Sequence, residues 1–378
     1  MKREWTRWRV YRKARVWQYR PAMKSVPTQA DFARREREFR HRAFPAATAA
    51  DWEDWRWQLR HRARTATAVA RVLALSPRER RALAAPDAWR MPLAIPPYLL
   101  GLLAAEAPDG PLHRTLLPDR REARIAPGEL RDPLGEEAHQ VAPGLIRSYP
   151  HKALLLATAD CASFCRYCTR ARTAGRAGAD LAAALAWLRA HPEIRDVLVS
   201  GGDPLTLGDA HLERLLRALR DIPHVELIRI GTKIPAALPQ RVTPALAKLL
   251  KKFRPLWLSL HFTHPAELTP RAAAACGRLL DAGIPLMNQT VLLRGVNDDL
   301  DTMLALNEGL LRLGVKPYYL HHGDLAAGTA HLRSTVARGR AILRAMCGRT
   351  TGYAVPHFMF DRPGGGGKVP LGPAWTSS

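Results

Sequence analysis

From residue 152 onward, short apolar runs alternate with helical stretches, and no other feature restricts the fold of this chain so strongly. The runs are KALLLAT (152–158), DVLVS (196–200), VELIRI (225–230), LWLSLHF (256–262), PLMNQTVLL (285–293) and VKPYYL (315–320). Between them lie ADLAAALAWLRAH, DAHLERLLRALRD, TPALAKLLKKF, TPRAAAACGRLLDAG and DTMLALNEGLLRLG. Six strands separated by five helices predict parallel β/α units with right-handed crossovers, an α/β chain that closes partly or wholly into a barrel. Such scaffolds collect functional groups at the carboxyl ends of their strands. TADCASFC, SGGD, LHFTH, NQ and YYLHHGD are all expected there.

The rest of the chain has a different texture. Residues 48–125 read as helical, with Thr48 and Ser76 as N-caps and Pro77 at a first helical position. Proline and charge clusters at 107–144 read as irregular connection. The tail DRPGGGGKVPLGP (361–373) reads either as a linker or as a tight turn that lets backbone approach a ligand. Four segments follow: a basic aromatic arm (1–42), a helical region (43–145), a β/α core (146–345) and a C-terminal segment (346–378).

The 378 residues carry 58 Lys and Arg against 34 Asp and Glu, a net charge of +24. Residues 1–42 concentrate this excess, with Trp5, Trp8, Tyr11, Trp17 and Tyr19 interleaved in the first part. Basic residues with aromatics suit a phosphate backbone and stacked bases. Arginine is frequent throughout the chain, however, so nucleic acid is not the expected partner. No apolar run of about 18 residues appears, so no membrane span is expected. The N-terminus lacks the apolar centre of a secretory signal, which points to the cytoplasm.

Three of the five cysteines, Cys161, Cys165 and Cys168, stand at the spacing C-x3-C-x2-C. An odd, crowded set in a reducing compartment argues for a metal site over a disulfide framework. Cys276 and Cys347 stand apart in helix-like contexts and are expected to be buried structural thiols. A structural zinc site closes with four protein ligands. Three thiolates in one short loop with no fourth nearby suit an iron–sulfur cluster better. A four-iron cluster held in this way keeps one iron free for a small molecule.

A C-x3-C-x2-C loop after the first strand of a β/α series resembles the radical S-adenosylmethionine superfamily. There the free iron chelates S-adenosylmethionine, and reduction releases a 5′-deoxyadenosyl radical. Gly201, Gly202 and Asp203 match that superfamily's glycine-rich segment at the methionine amino group. The resemblance narrows with DWEDWRWQLRHR (51–62), CRYCTRAR (165–172), IPHVELIRIGTKIP (222–235), NQTVLLRGVND (288–298), KPYYLHHGDLAAGT (316–329) and PGGGGKVP (363–370). Together, in order over about residues 35–373, these are similar to the lysine 2,3-aminomutase family.

That resemblance implies a partial (β/α)6 radical-SAM barrel with an N-terminal helical region and a short C-terminal segment that binds pyridoxal phosphate. It implies a 4Fe-4S cluster on Cys161, Cys165 and Cys168, and pyridoxal phosphate on Lys368, with Gly364, Gly365, Gly366 and Gly367 near its phosphate. His261 and Gln289 fall on the S-adenosylmethionine side. Arg170 matches the arginine that takes the substrate carboxylate. Asp324 and Asp361 match the aspartates that hold the substrate's distant ammonium. The implied reaction is a 1,2-amino shift from C2 to C3 that turns L-lysine into L-β-lysine, fed by a low-potential reductant such as flavodoxin or ferredoxin. Alternatives are the same chemistry on arginine, glutamate or a pathway intermediate, and β-lysine supply for elongation factor P. Longer members carry a zinc site with a cysteine where this chain has Asp299, and no cysteine follows Cys347. Zinc is therefore expected to be absent, and the chain is expected to be a homo-oligomer.

Overall fold

The computed structural model describes residues 28–175 and 179–372. Its centre is one ten-stranded sheet whose strands lie in chain order. They are β1 (Gln140–Ala142), β2 (Leu145–Tyr149), β3 (Lys152–Thr158), β4 (Asp196–Gly201), β5 (Leu227–Thr232), β6 (Leu256–Leu260), β7 (Leu286–Leu292), β8 (Lys316–His322), β9 (His357–Asp361) and β10 (Lys368–Pro370). Strands β3 to β9 run parallel, and an antiparallel pairing extends each side: β1 and β2 before β3, β10 after β9. The six expected strands are β3 to β8. The fold is an α/β partial barrel, extended by β1 and β2 on one side and by β9 and β10 on the other, strands that the sequence pattern does not announce.

Alternation along each strand decides what faces the interior. On β6, Leu256, Leu258 and Leu260 are buried under the helices, while Trp257 and Ser259 point into the barrel. On β7, Leu286, Asn288, Thr290 and Leu292 are buried, while Met287, Gln289 and Val291 point inward. Gln289 therefore lies within β7 on the inner face, not at its carboxyl end as expected. The interior cavity runs deep enough for a mid-strand side chain to reach it.

The crossover helices start where capping chemistry sets them. Thr243 and Thr269 cap helices Pro244–Lys251 and Pro270–Asp281, each with proline at its first turn. Gly283 and Gly314 follow two helices at φ 72° and 71°, a left-handed conformation that costs glycine nothing.

The structure departs from expectation in several places. Residues 1–27 of the basic arm lie outside the described residues. Residues Gln29–Ala43 are a helix capped by Thr28, with Phe39 buried in the core, so the arm does not extend to 42. Arg271 fixes that helix through Glu36 at 2.6 Å and reaches Glu53 at 2.6 Å. The expected long helix from Thr48 is broken at Asp54. That carboxylate accepts from the Arg56 and Trp57 amides at 2.9 and 3.2 Å, ending Ala49–Glu53 and starting Trp55–Arg60. The connection 107–144 holds a helix, Pro111–Leu116, and β1. Expected boundaries at 145/146 and 345/346 fall inside β2 and inside helix Val336–Met346. Cys276 is buried, but Cys347 ends that helix and is exposed.

Candidate active site

The inward faces of β3 to β8 and the loops beyond them enclose a cavity of about 810 Å³. All three clustered cysteines line it, as do Arg170, Gly201, Gly202, Asp203, His261, Gln289, Asp324, Asp361, Gly365, Gly367 and Lys368.

At one end lies the loop after β3. Burial pushes the Cys165 thiol up to about 11 and raises the Cys161 thiol well above the ordinary thiol range. Ionised sulfurs here need a cationic centre. Among the described residues, no trio of His, Cys, Asp or Glu is arranged around a single ion. Three thiols on one cavity wall suit a cube that takes one thiolate per iron. The SGGD turn after β4 lies hard against this loop. Gly201 sits at φ +115°, and a Cβ there would collide with the Thr158 carbonyl; one on Gly202 would collide with the Asp160 carbonyl. Only glycines permit that approach. The Asp203 carboxylate is already occupied by the Thr232 hydroxyl and the Lys233 amide, both at 2.7 Å. Burial pushes it up to about 6. Its visible work is to hold the turn. His261 shares a 2.8 Å hydrogen bond with the Tyr167 hydroxyl. Burial and the Lys233 charge push it down to about 3, so its ring is neutral. Lys233 in turn meets Glu267 at 2.5 Å.

At the other end, charges come from distant segments. The Lys368 ammonium lies 2.5 Å from Asp361, and His321 lies 3.4 Å from the same oxygen. Burial would raise Asp361, but His321 and Lys368 hold it down at about 2. Asp324 is different. Burial and the Asp361 charge push it up to about 7, and its Oδ1 is buried without a hydrogen-bond partner. Arg170 is gripped by Glu136 at 2.7 Å. Of the four glycines before Lys368, Gly365 and Gly367 reach the cavity. Gly364 instead donates to the Pro133 carbonyl at 3.3 Å, and Gly366 packs on Arg362. The Lys368 amide donates to the Tyr149 hydroxyl at 3.0 Å, which joins β10 to β2 across the seam of the barrel.

Several residues escaped the reading of the sequence. Lys152 and Arg229 point into the cavity from β3 and β5. Burial first, then the Arg229 charge, lowers the Lys152 pKa, the mark of a cation short of an anion. Arg229 is paired with Asp196 at 2.8 Å, and Lys152, Arg229 and Tyr149 line the same cavity as Lys368. The signal was available: a charge at an inward position of an apolar strand. The connection 107–144 supplies three buried glutamates, each paired with an arginine. Glu122 pairs with Arg166, Glu129 with Arg333 and Glu136 with Arg170. Nothing in that irregular stretch marks them.

Cavity, cysteine loop and glycine turn together define a radical S-adenosylmethionine enzyme, and the Radical SAM superfamily model matches residues 155–306. The Lysine-2,3-aminomutase model matches residues 343–378. L-lysine 2,3-aminomutase of Acetoanaerobium sticklandii is 43% identical over 344 residues, covering 89% of this chain and 82% of that protein. L-lysine 2,3-aminomutase of Clostridium subterminale is 42% identical over 344 residues, 90% and 82% of the two chains. The chain belongs to the lysine 2,3-aminomutase family and is an isomerase, a radical SAM aminomutase. Glutamate 2,3-aminomutase of Clostridioides difficile is 37% identical over 339 residues, 88% and 79%. No helix among the described residues is long and apolar enough to cross a membrane.

Proposed function

We propose that this aminomutase acts on L-lysine and forms L-β-lysine, with pyridoxal phosphate on Lys368. The observation that carries the substrate assignment is the buried Asp324 oxygen without a partner, facing a cavity it shares with Asp361. A buried carboxylate left unpaired is costly, and a second one beside it makes it costlier. A cationic side chain relieves both. A glutamate side chain would add a third negative charge.

The residues divide the work. Arg170, fixed in direction by Glu136, presents its remaining guanidinium edge to the substrate carboxylate. Asp324 and Asp361 take the distant ammonium. Asp361, which faces the Lys368 ammonium at 2.5 Å, would share the substrate's ammonium with Asp324. Lys152, Arg229 and Tyr149 take the cofactor phosphate. Cys161, Cys165 and Cys168 hold a four-iron cluster, and the backbone of Gly201 and Gly202 faces S-adenosylmethionine. When bound, these groups supply radical generation and an electron sink for nitrogen migration. The chain supplies alignment, fixed charge and exclusion of water. His261 and Gln289 line the space between the two ends, and the neutral His261 ring adds no charge there.

Zinc has no place in this proposal. Asp299, which stands where longer relatives carry a cysteine, caps helix Leu300–Arg312 by accepting the Thr302 amide at 2.9 Å. Metal analysis of the purified protein checks this, and stoichiometric zinc would overturn it. A low-potential flavodoxin or ferredoxin and a homo-oligomeric state complete the proposal.

The deciding experiment is an anaerobic assay of reconstituted protein with S-adenosylmethionine, pyridoxal phosphate, dithionite and L-lysine, read by mass spectrometry. β-Lysine formation supports the proposal. Isomerisation of glutamate or arginine with none of lysine moves the substrate.

A further inference from the structure

Arg90 touches neither end of the cavity through its own lining, yet its side chain is bound to both. Its Nη1 donates to the Arg166 carbonyl at 3.1 Å, and its Nη2 donates to the Cys168 carbonyl at 2.6 Å. These two acceptors flank Tyr167 in the cysteine loop. Its Nε donates to the Ala327 carbonyl at 2.5 Å, three residues after Asp324. The Arg90 amide is held in turn by Glu122 at 3.2 Å, the same carboxylate that pairs with Arg166. Among the described residues no acidic side chain accepts from the Arg90 guanidinium; its acceptors are backbone carbonyls.

A planar guanidinium with rigidly spaced donors fixes the separation of the groups it binds, which a flexible ammonium does not. We propose that Arg90 is a positioning residue that sets the distance between the cysteine loop and the loop 323–329 carrying Asp324. Radical formation belongs to the first loop and the grip on the substrate's far end to the second. Their spacing decides which carbon of the substrate meets the radical. The reaction assigned to the two loops rests on the function proposed above; the mechanical tie does not.

Two observations show how closely the second loop is fitted to this tie. Gly328 sits at φ +77°, and a Cβ there would lie 3.3 Å from the Arg90 Cδ and would collide with the Glu122 carbonyl. On its far side the loop is stapled by Glu129, which accepts from the Gly328 and Thr329 amides at 2.9 and 3.2 Å. The loop is held from both sides, and Arg90 is the side that faces the cysteines.

The test is hydrogen–deuterium exchange on the ligand-free full chain, comparing wild type with Arg90→Lys and with Gly328→Ala. Lysine keeps the charge and loses the fork. Arg90→Lys is expected to speed amide exchange in both 161–168 and 323–329 by about tenfold or more, with helices such as Pro270–Asp281 unchanged. Gly328→Ala pushes on the tie from the other end and is expected to carry faster exchange from 323–329 into 166–168. Unchanged exchange in either loop of Arg90→Lys, or an effect of Gly328→Ala confined to 323–329, overturns the proposal. If Arg90→Lys does not fold, Gly328→Ala decides alone.

In reconstituted enzyme that isomerises lysine, Arg90→Lys is expected to keep the reduced-cluster resonance and release about tenfold more 5′-deoxyadenosine per product. An unchanged ratio there also counts against the tie. Failure of wild type to isomerise any amino acid bears on the proposed function and leaves the exchange result standing.

Discussion

The two ends of the cavity are built in opposite ways. The cysteine end comes from one stretch of eight residues, Cys161 to Cys168, at the end of a single strand. Remote arginines brace it from outside: Arg62 reaches Asp160 at 2.9 Å, and Arg90 reaches the Cys168 carbonyl. The substrate end has no local core. Arg170, Asp324 and the hairpin bearing Asp361 and Lys368 arrive from three places in the chain; buried Glu136 holds Arg170, and buried Glu129 holds the loop that carries Asp324. Under the proposed function the thiols, with Lys233 beside Cys165, would take the cluster, and Asp324, whose Oδ1 has no hydrogen-bond partner, would take the cation.

The largest effects separate the two ends outright. Cys165→Ala is expected to abolish both 5′-deoxyadenosine and β-lysine formation. Lys368→Ala is expected to abolish β-lysine and the pyridoxal absorbance while leaving the cluster spectrum intact. Loss of the cluster in Lys368→Ala would break the comparison. Next comes Asp324→Asn, which leaves Asp361 without help against the substrate ammonium. Its kcat/KM for lysine is expected to fall about 100-fold, with 5′-deoxyadenosine release much less affected.

Acid gives a graded version of the same test. Asp324 ionises at about 7, and only its ionised form takes a cation. As pH falls below that value, kcat/KM for lysine is expected to drop about tenfold per unit. Asp324→Asn should remove that slope. The smallest effect is on stability. A carboxyl raised above its unfolded value favours the fold below about pH 4 and loses that contribution as pH rises through about 7. Without ligand, Asp324→Asn should therefore melt a few degrees higher than wild type at pH 8. The difference should vanish near pH 4, as thermal scans would show.

Legibility followed the same division. The six parallel strands were plain because apolar runs with two-residue alternation form strands wherever they fall. The cysteine loop and glycine turn were plain because their chemistry is packed into a few adjacent residues. Asp324, Asp361 and Lys368 were readable only through resemblance, since a single carboxylate or lysine carries no local pattern. Lys152 and Arg229 could have been found from strand parity. Glu122, Glu129 and Glu136 could not, because their partners lie 44, 204 and 34 residues away. Asp54 broke an apparent long helix for a local reason: its side chain competes with the backbone ladder, and apolar spacing does not register that. Cys347 was misjudged because it sits at the end of its helix, where apolar periodicity no longer says which way a side chain faces.

The hydrogen bond from the Lys368 amide to Tyr149 spans 219 residues. Contacts so far apart in sequence form late, after the local β/α units have closed their short loops. During synthesis the cysteine loop is finished long before the strand that bears Lys368 has been made. A nascent chain thus has its radical-generating end shaped first and its substrate end last. The lysine proposed to take the cofactor reaches its place only when the two edges of the sheet meet. If the proposed function holds, uptake of pyridoxal would double as a report that the chain has finished folding.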